Sequence, residues 1–317
     1  MKHLYFCAFR EDGGIYHYTK EGDALIFRDK TPLDRPSYMA IADGRAYILL
    51  RDIDDKTHFG GLISFAIAED GRLVDPVAPI TTHGAASCHI SVLDGEVYAV
   101  NYLSGNVVKF PDLVVTHQGR GPHPTRQTSP HTHYIAPTPD GRYLLCTDLG
   151  LDSIFTYTPE LTPVSVAKVP DGAGVRHLAF SEDGGTVYAA NELASSVSVF
   201  SYSDGVLTYR DTYDCLPDYT GENTAAAIRV HGDCVYVSQR GADCITRFRA
   251  EGDTLRFMEN TPCGGKSPRD FLIVDDLLLC TNELTDDVTV LRLDAEGRPA
   301  LSDTRLEMPH PLCVVCR

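Results

Sequence analysis

Apolar residues in this chain fall in short runs, each closed by a polar or charged residue, and the runs recur in sets. One set reads His89-Ile-Ser-Val, Val97-Tyr-Ala-Val-Asn101 and Val107-Val-Lys-Phe110. The same order returns as His133-Tyr-Ile-Ala, Tyr143-Leu-Leu-Cys-Thr-Asp148 and Ile154-Phe-Thr-Tyr157. It returns again as His177-Leu-Ala-Phe, Val187-Tyr-Ala-Ala-Asn191 and Val197-Ser-Val-Phe200. Further copies begin at Ala227, at Phe271 and, with an insertion, at Tyr38. Runs this short, rich in Val, Ile and Tyr, predict strands rather than helices. Aligned on the polar residue closing the second run, the copies fall at 51, 101, 148, 191, 239 and 282, which gives intervals of 50, 47, 43, 48 and 43. A period of about 45 residues with three or four short strands per unit is the pattern of propeller blades. Asp94-Gly95, Asp140-Gly141 and Asp183-Gly184 predict tight hairpins between the first two strands of a unit.

Six copies leave the two ends of the chain over, and the ends fit each other. Leu4-Tyr-Phe-Cys-Ala-Phe-Arg10 reads as a second strand, Ile15-Tyr-His-Tyr18 as a third and Leu25-Ile-Phe27 as a fourth. Leu312-Cys-Val-Val315 supplies the missing first strand. The sequence therefore predicts an all-β chain, residues 1–317 forming a single seven-bladed β-propeller domain with one blade stitched from both termini. Such closure removes exposed sheet edges. Two packed β-sandwiches are the competing arrangement.

In a blade the first strand is innermost and the second runs antiparallel beside it, so the start of one and the end of the other open on the same mouth of the channel. At the start of strand one the alignment places Ser37, His89, His133, His177 and Asp270 in one slot, flanked by His131, Arg176 and Arg269. At the end of strand two it places Arg51, Asn101, Asp148, Asn191, Gln239 and Asn282, followed by Glu192, Arg240 and Glu283. Asp148, Asn191 and Asn282 also have a structural reading, as ties between blades. His131 and His133 are two residues apart on one strand and so share a face, which also raises a metal site. The nearby arginines oppose a cation, and imidazoles acting as acid, base or anion donors are preferred. No metal and no cofactor is expected.

Charge sharpens this picture. The chain carries 44 acidic against 28 basic residues, a formal net charge of −16, and no run of Lys or Arg forms a basic face. Nucleic acid is not an expected partner. Against that background a cluster of Arg and His at one mouth points to a small anionic ligand. No window is apolar enough for a membrane helix, so no membrane is expected. The first residues lack the apolar core of a secretory signal, which predicts a cytoplasmic protein whose ten cysteines are reduced. Cys313-x-x-Cys316 has metal-ligand spacing but no second pair. A closed ring predicts a monomer.

Several stretches resemble the seven-bladed lactonase family, which includes propeller-type 6-phosphogluconolactonases and the carboxymuconate-lactonising enzyme. They are Ser129-Pro-His-Thr-His133, Pro139-Asp-Gly-Arg-Tyr143, Thr147-Asp-Leu-Gly150, Gly172-Ala-Gly-Val-Arg-His-Leu-Ala-Phe-Ser181, Asn191-Glu-Leu-Ala-Ser-Ser-Val-Ser-Val-Phe200, Ser238-Gln-Arg-Gly241 and Ser267-Pro-Arg-Asp-Phe271. The resemblance implies an active site at His131 or His133, Arg176, Glu192 and Arg240. From their slots, Arg269, His177, Asp148 and His89 are candidate substrate-binding residues. The implied chemistry is hydrolysis of a sugar lactone such as 6-phosphogluconolactone, with Glu192 or a histidine as general base and an imidazole or arginine at the oxyanion. The alternatives are a muconate-type lyase or isomerase, and a non-enzymatic propeller that binds proteins or small ligands.

Overall fold

Seven four-stranded antiparallel sheets follow one another around a central channel in the computed structural model, which describes residues 1–54 and 56–317. Blade 1 is the composite one, with Pro311–Cys316 innermost and Lys2–Ala8, Gly14–Glu21 and Ala24–Pro32 outside it. The inner strands of blades 2 to 7 are Pro36–Ala42, Ser87–Leu93, Thr132–Pro137, Val175–Phe180, Thr224–His231 and Pro268–Val274. The split blade and the closure of the ring thus match the expectation from sequence.

Each blade lies between two others, so its second and third strands are buried on both faces and read as apolar runs, while the outermost strand is largely exposed. Along the second strand of blade 3, Glu96–Asn101, alternate residues serve opposite neighbours. Val97 and Ala99 pack with Leu49 and Leu62 of blade 2, while Tyr98 and Val100 pack with Leu144 and Cys146 of blade 4. The buried apolar side chains form seven such clusters, one at each interface between blades. Tyrosine recurs in the second strand because its ring fills an interface while its hydroxyl reaches a turn of a neighbouring blade. Tyr5, Tyr98 and Tyr236 donate to the carbonyls of Gly71, Pro159 and Gly297 at 2.6, 2.8 and 2.6 Å.

The hairpins follow the sequence in part. Asp94 and Gly95 both take positive φ, 51° and 80°, as a two-residue turn requires. At Asp140-Gly141 and Asp183-Gly184 only the glycine does, and the turn is longer. There Gly141 donates to Thr138 and Gly184 to Ser181, and the Asp side chains accept from the following backbone.

One buried ion pair fastens the closure. The Asp270 carboxylate of blade 7 accepts from Arg229 Nη2 of blade 6 at 2.6 Å, from its neighbour Phe271 N at 2.9 Å and from Val314 N of blade 1 at 3.3 Å. Burial pushes this carboxyl up from its usual range, against the pull of Arg229. Removing one partner of such a pair leaves an uncompensated charge, so Asp270→Ala is expected to cost about 3–5 kcal/mol in urea unfolding. Tyr236→Phe, which loses one hydroxyl contact, is expected to cost about 1 kcal/mol. Equal costs would mean that the ion pair is not a fastening.

Candidate active site

All seven inner strands break register with their second strands near the channel mouth. The residue left over is Leu312, Ser37, Cys88, His133, Arg176 and Arg269 in blades 1, 2, 3, 4, 5 and 7, and Ala226 with Ala227 in blade 6. A bulge leaves a residue without a cross-strand partner and re-aims its side chain. The six single bulge residues line one throat, together with Tyr38, Arg51, His177 and Asp270.

This corrects the slots read from sequence, where one position was taken to hold His89, His133 and His177. His133 is in register with Arg176 and Arg269. His89 and His177 lie one residue further on, with Tyr38, Tyr134 and Asp270. At the end of the second strand, Arg51 belongs not with Asn101 and Asn191 but one place beyond, because Leu50 is the residue paired with Pro36. Arg51, Tyr102, Glu192 and Glu283 form a second ring. Each donates its N–H to the residue before the inner strand, at Arg35, Ala86, Gly174 and Ser267 respectively. All four of these accepting residues take positive φ, and at Gly174, where it is +68°, the absence of a Cβ leaves space for the Leu193 side chain. Arg240 occupies the same ring in blade 6, following Gln239, the partner of Ala225.

The two rings meet at Glu192. Its Oε1 accepts from Arg126 Nη2 at 2.6 Å, and its Oε2 is 3.1 Å from Arg176 Nε and 3.1 Å from Arg240 Nη2. The backbone of blade 6 helps to hold the guanidiniums: Arg176 Nη1 donates to the carbonyl of Ala226 at 2.9 Å and Arg240 Nη2 to that of Ala225 at 3.1 Å. Burial alone would raise the Glu192 carboxyl, but the guanidiniums of Arg240, Arg176 and Arg126 together hold it far below the usual carboxylate range. Burial, Arg240 and Arg269 bring Arg176 down to about 9, still charged at neutral pH. A carboxylate so firmly ionised is a poor proton acceptor, so its place is to hold the guanidiniums in position.

The imidazoles divide into two kinds. His131 stacks on Tyr102 at 4.4 Å, and its Nδ1 lies 2.9 Å from the Tyr102 carbonyl, a contact that places the hydrogen on Nδ1. His133 and His177 face the throat with ring centroids 5.4 Å apart. Burial, and then the charge of Arg176, push both well below the ordinary histidine range, so both are neutral. His89 lies deeper, packed on Tyr134 at 4.3 Å, and burial with Arg229 and Arg176 lowers it to about 3. It does not line the throat. Among the described residues no group of three or more His, Cys, Asp and Glu side chains is arranged to hold a metal ion.

Arg269 lines the throat and pairs with Glu283 at 3.2 Å; Glu283 in turn meets His310 at 3.2 Å. Asp148 departs from the substrate-binding role suggested by its slot. It is fully buried and spent on His117 Nδ1 at 2.6 Å and on the backbone N–H groups of His131 and Leu151. Its work is to tie the His131 segment to blade 4. Arg126 and Tyr102 were not singled out from sequence. Arg126 comes from the long connection between Leu113–Thr116 and Thr132–Pro137, outside the repeat, and its Nη2 also reaches the Tyr102 hydroxyl at 3.3 Å. Arg126 and Arg240 line an open cleft of about 870 Å³ with Leu193, Lys266 and Leu284, whereas Arg176 lines the throat. Arg240 on the cleft wall and Arg176 on the throat wall both lie 3.1 Å from Glu192 Oε2, so the two spaces adjoin at the Glu192 cluster.

The neutral imidazoles set a sign for stability against pH. Each has a folded pKa below its unfolded value near 6.5, so the unfolded chain binds more protons as pH falls, and stability present above pH 6.5 is lost on acidification. His17, lowered to about 4 by burial, adds to the same effect. Unfolding free energies from urea titrations are expected to fall between pH 6.5 and 4.5 by up to about 1.4 kcal/mol per pH unit for each imidazole. His177→Asn is expected to reduce that slope by about one proton. An unchanged slope would mean that His177 is protonated in the fold.

Comparison with known proteins bears on this arrangement. Residues 3–316 match the family described as lactonase, 7-bladed β-propeller. The chain is 30% identical over 339 aligned residues to a 6-phosphogluconolactonase of Bacillus subtilis, covering 95% of this chain and 97% of that protein. It is 31% identical to an uncharacterised protein of Staphylococcus epidermidis, covering 96% of this chain and 99% of that protein. The structure of a periplasmic gluconolactonase of Pseudomonas aeruginosa superposes with a TM-score of 0.91 at 25% identity, covering 99% of this chain and 98% of that one. The chain belongs to the seven-bladed β-propeller lactonase family.

Proposed function

We propose that this protein hydrolyses a sugar lactone carrying an anionic group, 6-phosphogluconolactone being the first candidate. The observation that carries the reading is the gathering of Arg126, Arg176, Arg240 and Arg269 with two neutral imidazoles at one mouth of a chain whose net charge is −16. Family membership and the names of the Bacillus and Pseudomonas relatives support it. The open cleft has room for a sugar, and Arg126, Arg240 and Lys266 on its wall suit a phosphate or carboxylate.

In this reading water attacks the lactone carbonyl carbon, and its proton passes to the neutral imidazole of His133. The carbonyl oxygen becomes the oxyanion of a tetrahedral intermediate, stabilised by the Arg176 guanidinium. The ring C–O bond then breaks, and the His133 imidazolium returns its proton to the departing ring oxygen, giving the open-chain acid. Glu192 keeps Arg176 and Arg240 pointed at the reacting group and takes no proton.

Initial rates with 6-phosphogluconolactone, corrected for spontaneous hydrolysis, test the assignment. Arg176→Ala and His133→Asn are each expected to lower kcat/KM by about 10²–10³-fold. Because His133 is held neutral well below its ordinary range, the catalysed rate is expected to stay level as the pH falls from 7 through 6.5, where an ordinary histidine would titrate. Activity kept in His133→Asn but lost in His131→Gln would transfer the base to His131. Full activity in Arg176→Ala would end the lactonase reading.

A further inference from the structure

The throat is far too small for a sugar. Its open volume is about 20 Å³, which is room for one water molecule. Its walls are polar and incompletely satisfied. Both ring nitrogens of His177 and Nδ1 of His133 are buried without a hydrogen-bond partner, in side chains 1% and 5% exposed. A neutral imidazole always carries one N–H donor and one lone-pair nitrogen, so an empty throat would leave both needs of His177 unmet. Around the same space stand the guanidiniums of Arg51, Arg176 and Arg269, and the one carboxylate, Asp270, is occupied by Arg229 and backbone N–H groups. An apolar plug is thus disfavoured, and a small polar or negative occupant is favoured.

We propose that the throat is a built site for a single water-sized occupant, the hydrolytic water, held by His177 and His133 and drawn towards hydroxide by the three arginines. The inference rests on the lactonase reading for the identity of the reaction, but not for the existence of the site. It gives the two spaces different tasks: the cleft seats the lactone on one side of the Glu192 cluster, and the throat supplies the attacking oxygen from the other. His177 is then a positioning residue, acting on substrate only through the water. The same walls would accept fluoride, which matches hydroxide in size and charge.

Two variants and one probe test this. His177→Phe, which fills the throat, is expected to lower kcat by about 10²-fold while leaving KM and calorimetric affinity for 6-phosphogluconate within about twofold. His177→Gln, which keeps a donor and an acceptor, is expected to retain more activity than His177→Phe at equal thermal stability. In the wild type, fluoride is expected to inhibit without competing with the lactone. Fluorine NMR is expected to report saturable fluoride binding that His177→Phe abolishes. Full kcat in a folded His177→Phe variant, or fluoride that neither binds nor inhibits, would overturn the proposal. If the wild type hydrolyses no lactone, the functional reading fails alone, and fluoride binding still decides whether the throat is a site.

Discussion

The bulge repeated in every inner strand is the constraint on which the site depends. A regular strand between two buried faces sends its side chains alternately into one interface and the other, and both interfaces are apolar. No position in such a strand is free to carry chemistry without charging a core. Dropping one residue out of the ladder per blade breaks the alternation where the strands converge, and the released residue turns into the mouth. The released residues of six of the seven blades share one throat. The propeller closure brings His133, Arg176 and Arg269, scattered over more than a hundred residues of sequence, onto that common wall.

Electrostatics then sorts the groups by task. Glu192 is buried, yet three guanidiniums surround it, so it remains ionised and structural rather than acting as a base. The same cations, with burial, keep His133 and His177 neutral, each with one N–H donor and one lone-pair nitrogen. Blade 6 contributes through its backbone. The carbonyls of Ala226 and Ala225 hold the guanidiniums of Arg176 and Arg240.

Much of the fold was legible in the sequence, because each blade repeats the same apolar runs and the split blade was visible as two complementary ends. Site geometry was less legible. Counting residues from the apolar runs cannot detect a bulge, so His133 was aligned with His177 when its structural counterpart is Arg176. Arg51 was displaced by one place for a related reason, since the insertion following it hides the end of its strand. Asp148 occupies the position of Asn101 and Asn191, but burial beside His117 commits it to structure. Arg126 lies on a connection outside the repeat, and only its length, between Thr116 and Thr132, set it apart.

The most direct test is a crystal structure of the wild-type protein with 6-phosphogluconate bound. The account predicts the product in the cleft, its new carboxylate directed past the Glu192 cluster towards Arg176 and His133, with one water in the throat behind it. Product bound on the opposite face of the ring, or on an outer strand with the throat arginines untouched, would contradict the claim that the bulges build the catalytic wall.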